Sequence, residues 1–114
     1  MKVLIVDDIK ANRMLVAEIL HDHECDEAED GNQALSLTRT KKYDLILLDL
    51  SMPNCDGNQF LEEFKKYDTE TCVLVVTAHI ELAKESMYLR ANGMILKPID
   101  VDRLLDYVKE IDGG

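Results

Sequence analysis

Five residues able to do chemistry stand at the same kind of place in this chain. "KVLIV" runs into Asp7 and Asp8, "LILL" into Asp49, "CVLVV" into Thr77 and "MIL" into Lys97. An acid that ends an apolar run costs free energy if it is buried alone, so a chain that keeps three has a use for them. Three close carboxylates repel, and their charge must be met by protons or a cation. An all-oxygen, carboxylate-rich set suits a hard cation, of which Mg²⁺ is the usual one. Lys97 adds a positive charge and Thr77 a hydroxyl. Together they describe a pocket for a tetrahedral anion beside Asp49, which is what phosphoryl transfer needs. A carboxylate can itself be the nucleophile and form an acyl phosphate. Asp49 is the candidate, because the loop after it, with Ser51, Pro53, Asn54, Asp56 and Gly57, can wrap a ligand.

These residues meet only if the chain brings them to one rim. Residues 2–7, 43–49 and 72–77 are apolar runs closed by polar residues, and 94–98 is a shorter one. Strands buried on both faces of a parallel sheet read this way. Residues 25–29, "CDEAE", are too polar for a central strand and belong at an edge. Helical spacing fills the gaps. In 9–21, Leu15 pairs with Ile19 and Val16 with Leu20. Residues 32–42 follow a turn at Gly31. In 58–67, Asn58 is the expected cap, and Phe60 and Phe64 share a side. Residues 81–92 stop before Gly93, a helix-ending signal. In 100–111, Asp100 is the cap, and Val101, Leu104, Leu105 and Val108 make the apolar stripe. Strictly alternating strands and helices imply a parallel sheet with helices on both faces. Sites in such sheets lie outside the carboxyl ends of the strands, where strand order reverses. That is where all five residues fall.

Composition narrows the alternatives. A chain of 114 residues with 46% apolar content predicts one domain, spanning 1–114, with a sizeable core. With 23 acidic and 13 basic residues the formal charge is −10. That argues against nucleic-acid binding, which depends on cations against phosphate, and against an anionic membrane surface. No apolar run approaches the ~20 residues a membrane helix needs. Cys25, Cys55 and Cys72 are an odd set without metal-site spacing, and they point to free thiols in a reducing cytoplasm. No internal repeat or linker stands out, and the closing "DGG" reads as a frayed end or a boundary.

From "VLIVDD" through "DLILLDLSMPNCDG" and "VLVVTA" to "GMILKPID", the chain resembles a response-regulator receiver domain of two-component phosphorelay signalling. The resemblance implies a single doubly wound (βα)5 domain, flavodoxin-like, with strand order 2-1-3-4-5. It implies that Asp49 is the phosphoacceptor and that Asp8 and Asp49 hold Mg²⁺ with the Ser51 main-chain carbonyl, Asp7 acting largely through bound water. Thr77 and Lys97 would contact the phosphoryl oxygens, and the Lys97–Pro98 peptide would be cis. The donor would be a phosphohistidine on a sensor histidine kinase or a histidine phosphotransfer protein. A downstream effector would use the 81–111 face. Such a domain is not an enzyme beyond its own phosphorylation and dephosphorylation. Met94 stands where the family usually carries an aromatic residue, which predicts a softer switch.

Other readings compete less well. A flavin-binding module shares the topology, but Asp7 and Asp8 would repel a flavin phosphate. A small aspartyl-phosphate phosphatase would carry a second acid at position 51, which is Ser. "HDHEC" spaces His21, His23 and Cys25 like a soft-metal site, but at a helix end on the rim opposite the acids a solvated turn is the better reading. "DEAEDGN", 26–32, has a glycine at the sixth place of a calcium loop, but Ala28 and Leu37 replace required ligands. Cys55, in the loop near Asp49, reads as a spectator thiol.

Overall fold

Aliphatic runs without helical spacing become strands, and here every one of them does. The computed structural model describes residues 1–52 and 55–113. The expected loop residues Pro53 and Asn54 lie outside the described residues. The order is β1 (Lys2–Val6), α1 (Lys10–Ile19), β2 (Glu24–Ala28), α2 (Gly31–Thr40), β3 (Leu45–Asp49), α3 (Gly57–Phe64), β4 (Cys72–Thr77), α4 (Ile80–Tyr88), β5 (Gly93–Leu96) and α5 (Val101–Gly113). All strands are parallel, in the order β2-β1-β3-β4-β5. The expected topology is therefore the observed one, with the polar β2 at an edge. The final turn of α5 takes in Asp112 and Gly113, which are helical where a frayed end was expected, and Gly114 lies outside the described residues.

Alternate side chains of a strand face opposite sides, so each strand feeds two cores. Val3, Ile5, Leu45, Leu47, Leu74 and Ile95 pack under Val16 of α1, Leu20 just past its end, and Leu104 and Val108 of α5. Leu4, Val6, Ile46, Leu48, Val73 and Val75 pack under Ala34 of α2 and Phe60, Leu61 and Phe64 of α3. Phe60 and Phe64 share a side as expected, their rings stacked 5.3 Å apart. Leu15, Val101 and Leu105 are exposed instead of buried, because the narrow stripes of α1 and α5 are filled by their neighbours.

Helix ends differ from the expectation in two places. The cap of α3 is Asp56, not Asn58. The Asp56 carboxylate accepts from Gln59 N at 2.8 Å, and Gln59 Oε1 accepts from Asp56 N at 2.9 Å, a reciprocal capping box. The same tetrapeptide, Asp-Gly-Asn-Gln, opens α2, where Asp30 accepts from Gln33 N at 2.8 Å and Gln33 Oε1 accepts from Glu29 N. Gly31 is thus the first residue of α2 rather than a turn before it. Gly93 does not end α4 but lies in β5, where an added Cβ would stand 3.0 Å from Leu74 Cδ2. The helix ends earlier, and Arg90 takes the left-handed position at φ 68°. Arg90 N donates to Met87 O and Ala91 N to Ser86 O, which is the paired bonding of a Schellman turn.

Candidate functional site

A parallel sheet delivers the carboxyl ends of its strands to one rim, and register decides which residues stand level. Val6 pairs with Leu48, so Asp7 emerges beside Asp49. Asp49 pairs with Val76, which places Thr77 one residue further out on β4. Thr77 pairs with Leu96, and Lys97 N donates to Thr77 O at 2.9 Å, which carries the ladder one residue past β5. The Lys97–Pro98 peptide is cis.

The side chains converge accordingly. Carboxylate oxygens of Asp7, Asp8 and Asp49 lie within 4.8 Å of one another, the single such cluster among the described residues. Lys97 Nζ is 3.6 Å from Asp49 Oδ1 and 3.9 Å from Asp7 Oδ2. Asp49 is 4% exposed, while Asp8 faces solvent. Ile9 N donates to Asp7 Oδ1 at 2.9 Å, and Ser51 N donates to Asp49 Oδ1 at 3.2 Å. Thr77 is buried, and its Oγ1 accepts from His79 N at 3.0 Å. An apolar cavity lined by Ile5, Val16, Leu47, Val76 and Ile95 lies against Asp7 and Asp49. Burial therefore pushes the Asp49 carboxyl above its ordinary value, and Asp7 and Asp8 push the same way. The Ser51 N–H and the Lys97 ammonium oppose that rise. The cluster is an all-oxygen donor set that fits a hard divalent cation.

Two glycines pack tightly against described residues of the segment beyond Asp49. Gly57 N donates to Leu50 O at 3.3 Å, and a Cβ on Gly57 would stand 2.5 Å from Asp49 O. Gly31 N donates to Cys55 O at 3.0 Å, and a Cβ there would meet Cys55 O and Sγ at 2.5 Å. Glycine supplies space at both points.

One residue escapes a motif-based reading. Arg13 of α1 sends Nη1 2.7 Å to the Asp7 main-chain carbonyl and Nε 3.1 Å to Glu27 Oε1, and so fixes the turn that presents the acids. The signal was its place near a helix N-terminus, where a cation is disfavoured without an acceptor. Met94 is half-buried and packs against the core on the α2–α3 face. The "HDHEC" residues do not converge. His23 Nδ1 lies 3.2 Å from the N-terminal ammonium, His21 Nδ1 lies 2.9 Å from Glu18 O, and Cys25 Sγ reaches Leu20 O. "DEAEDGN" is the end of β2 and the cap of α2.

The sequence profile described as "Response regulator receiver domain" matches residues 3–109. The chain is 34% identical to the sporulation initiation phosphotransferase F of Bacillus subtilis, over 96% of this chain and 91% of that protein. It is 31% identical to the chemotaxis protein CheY of the same organism, over 96% and 95%. Among solved structures, the receiver domain of NtrX from Brucella abortus superposes with a TM-score of 0.89 at 34% identity, covering 96% of each chain. These matches favour neither the flavin module nor the phosphatase. Fold, rim chemistry and relatives agree, and the chain belongs to the response regulator receiver domain family, the phosphorylatable domain of two-component signalling.

Proposed function

We propose that Asp49 accepts a phosphoryl group from a phosphohistidine of a sensor histidine kinase or a histidine phosphotransfer protein, and that residues 1–114 act as one cytoplasmic signalling unit. The observation that carries this is the Lys97 ammonium lying against both Asp49 and Asp7, two of the three clustered carboxylates. An Asp49 carboxylate oxygen attacks phosphorus, the phosphorus–nitrogen bond breaks, and the imidazole leaves with its electron pair and takes up a proton. Lys97 balances charge on the phosphoryl oxygens, and the Thr77 hydroxyl donates to one of them. Mg²⁺ fits the donor set, and would be held by Asp8, Asp49 and the Ser51 main-chain carbonyl, with Asp7 behind them. When bound, it supplies the positive charge that lets an anionic nucleophile meet an anionic phosphoryl group. Domains of this kind modify only themselves, and the output face is that of 81–111.

Incubation with Mg²⁺ and acetyl phosphate should add a single base-labile phosphate, detected by intact mass. Asp49→Asn should abolish it, and a chelator should suppress it. Equal labelling of Asp49→Asn would refute the assignment.

A further inference from the structure

We propose that Asn58 is a latch by which the segment following Asp49 holds α4 in place. Only the latch's response to the phosphoryl group rests on the reading of Asp49 as acceptor.

α4 is thinly anchored by apolar contact. Its buried residues are Ala83 and Ser86, with Leu82 half-buried, whereas Ile80, Met87 and Tyr88 are exposed, Tyr88 at 90%. Polar ties compensate. The segment entering the helix is tied where His79 N donates to the Thr77 hydroxyl oxygen. The segment leaving it is tied where Asn92 N donates to Val73 O and Asn92 Oδ1 accepts from Val73 N, each at 2.8 Å. Between them stands Asn58, on α3 and 7% exposed. Its Nδ2 donates to the Leu82 carbonyl and to Glu85 Oε2, both at 3.2 Å.

Both partners are acceptors, so only the amide nitrogen can face them. Asn58 Oδ1 must then point the other way, and no donor among the described residues reaches it. The capping box does not require an asparagine here. In the identical tetrapeptide that opens α2, Asn32 is exposed. The buried amide is explained by α4 rather than by α3.

Asn58 also follows Gly57, which rests on the backbone of Asp49 and Leu50. A shift of that segment moves the amide relative to two acceptors that both belong to α4. A contact that changes partners with such a shift is the kind of element through which two regions bias one another.

The test is amide hydrogen exchange on the full chain, free and with Mg²⁺ and beryllofluoride. Asn58→Asp keeps the size but turns an acceptor toward two acceptors. Amides of α4 should exchange at least about tenfold faster, while those of β1 and β3 hold. Glu85→Ala lies on the surface and leaves the core intact, and it should speed the same amides by about threefold. The beryllofluoride effect on α4 should fall by more than about half in Asn58→Asp. Unchanged α4 exchange in both variants, or a beryllofluoride response of α4 undiminished in Asn58→Asp, would overturn the latch. If Asn58→Asp loosens the whole protein, Glu85→Ala decides. Beryllofluoride that produces no shifts at Asp49 and Ser51 would instead sink the acceptor reading, and the free-protein arm would still decide the latch.

Discussion

Lys97 takes the place of a counter-ion in the free protein, lying 3.6 Å from one carboxylate and 3.9 Å from another. The packing below it is as constrained as the charges. At Gly57 a methyl group would have to occupy space 2.5 Å from Asp49 O and 2.7 Å from Leu50 Cα, both backbone atoms that cannot swing aside. Gly57→Ala should destabilise the fold by about 1–3 kcal/mol, as overpacking does. It should also slow the proposed labelling of Asp49, because the displaced atoms are the Asp49 and Leu50 backbone. Urea unfolding and the acetyl phosphate rate measure the two effects separately. A variant with unchanged stability and labelling would show that this backbone yields more easily than the geometry implies.

At the scale of elements, the edge strand β2 carries a polar knot at its middle residue. Asp26 accepts from Lys41 Nζ at 2.7 Å and from the buried Tyr43 hydroxyl at 2.6 Å. Those hydrogen bonds, that from Lys41 first, hold the Asp26 carboxyl below its ordinary value despite partial burial. A carboxyl depressed on folding stabilises fully above its unfolded pKa of about 3.9 and loses that contribution as pH falls through the lower folded value. Tyr43→Phe should therefore cost about 1.5 kcal/mol at pH 7, and the difference should shrink below about pH 4. Urea unfolding across that range checks it, and a difference independent of pH would count against it. Arg90 offers the opposite sign. A left-handed residue with a Cβ costs about 1 kcal/mol, so Arg90→Gly should raise the melting temperature by a few degrees. A lowered one would mean that the arginine side chain matters more than its backbone.

These elements also show what the sequence could reveal. Strand positions followed from β-type apolar runs, and strand ends located Asp7, Asp49, Thr77 and Lys97. The polar residues of 25–29 mark an edge strand but not what holds it, because the partners of Asp26, Lys41 and Tyr43, share no local pattern with it. The cap at Asp56 is legible in Asp-Gly-Asn-Gln, but Asn58 competes with it in the sequence because both residue types cap helices. Arg90 in place of a glycine could not be read, since the turn is set by where α4 must leave the sheet. Arg13 and Asn58 act through main-chain carbonyls on other elements, which spacing along the chain does not encode.

For the whole molecule, charge dominates. The chain carries −10 and gathers three acids within one small space. Anything that neutralises them should stabilise the fold. By ligand linkage, Mg²⁺ at a hundred times its dissociation constant should add about 2.7 kcal/mol. Asp8 is exposed and relieves repulsion when removed, so Asp8→Ala should weaken the Mg²⁺ effect and raise stability without metal. Thermal melts with and without millimolar Mg²⁺ test both. A melting temperature indifferent to Mg²⁺ in the unsubstituted protein would remove the cation from the site.

The strand order has a consequence for how such a chain is made. Once β1 and β2 have paired, β3, β4 and β5 each join at the same growing edge, in the sequence in which they leave the ribosome. No later strand has to be threaded between two earlier ones. The three acids are present by residue 49, yet the ammonium that balances them arrives only at residue 97, beyond the final strand. A nascent chain therefore carries the three acids before it carries the lysine that lies against two of them. The cluster gains this ammonium only once residue 97 follows the last strand, so a chain released too soon would lack the charge that lies against Asp7 and Asp49.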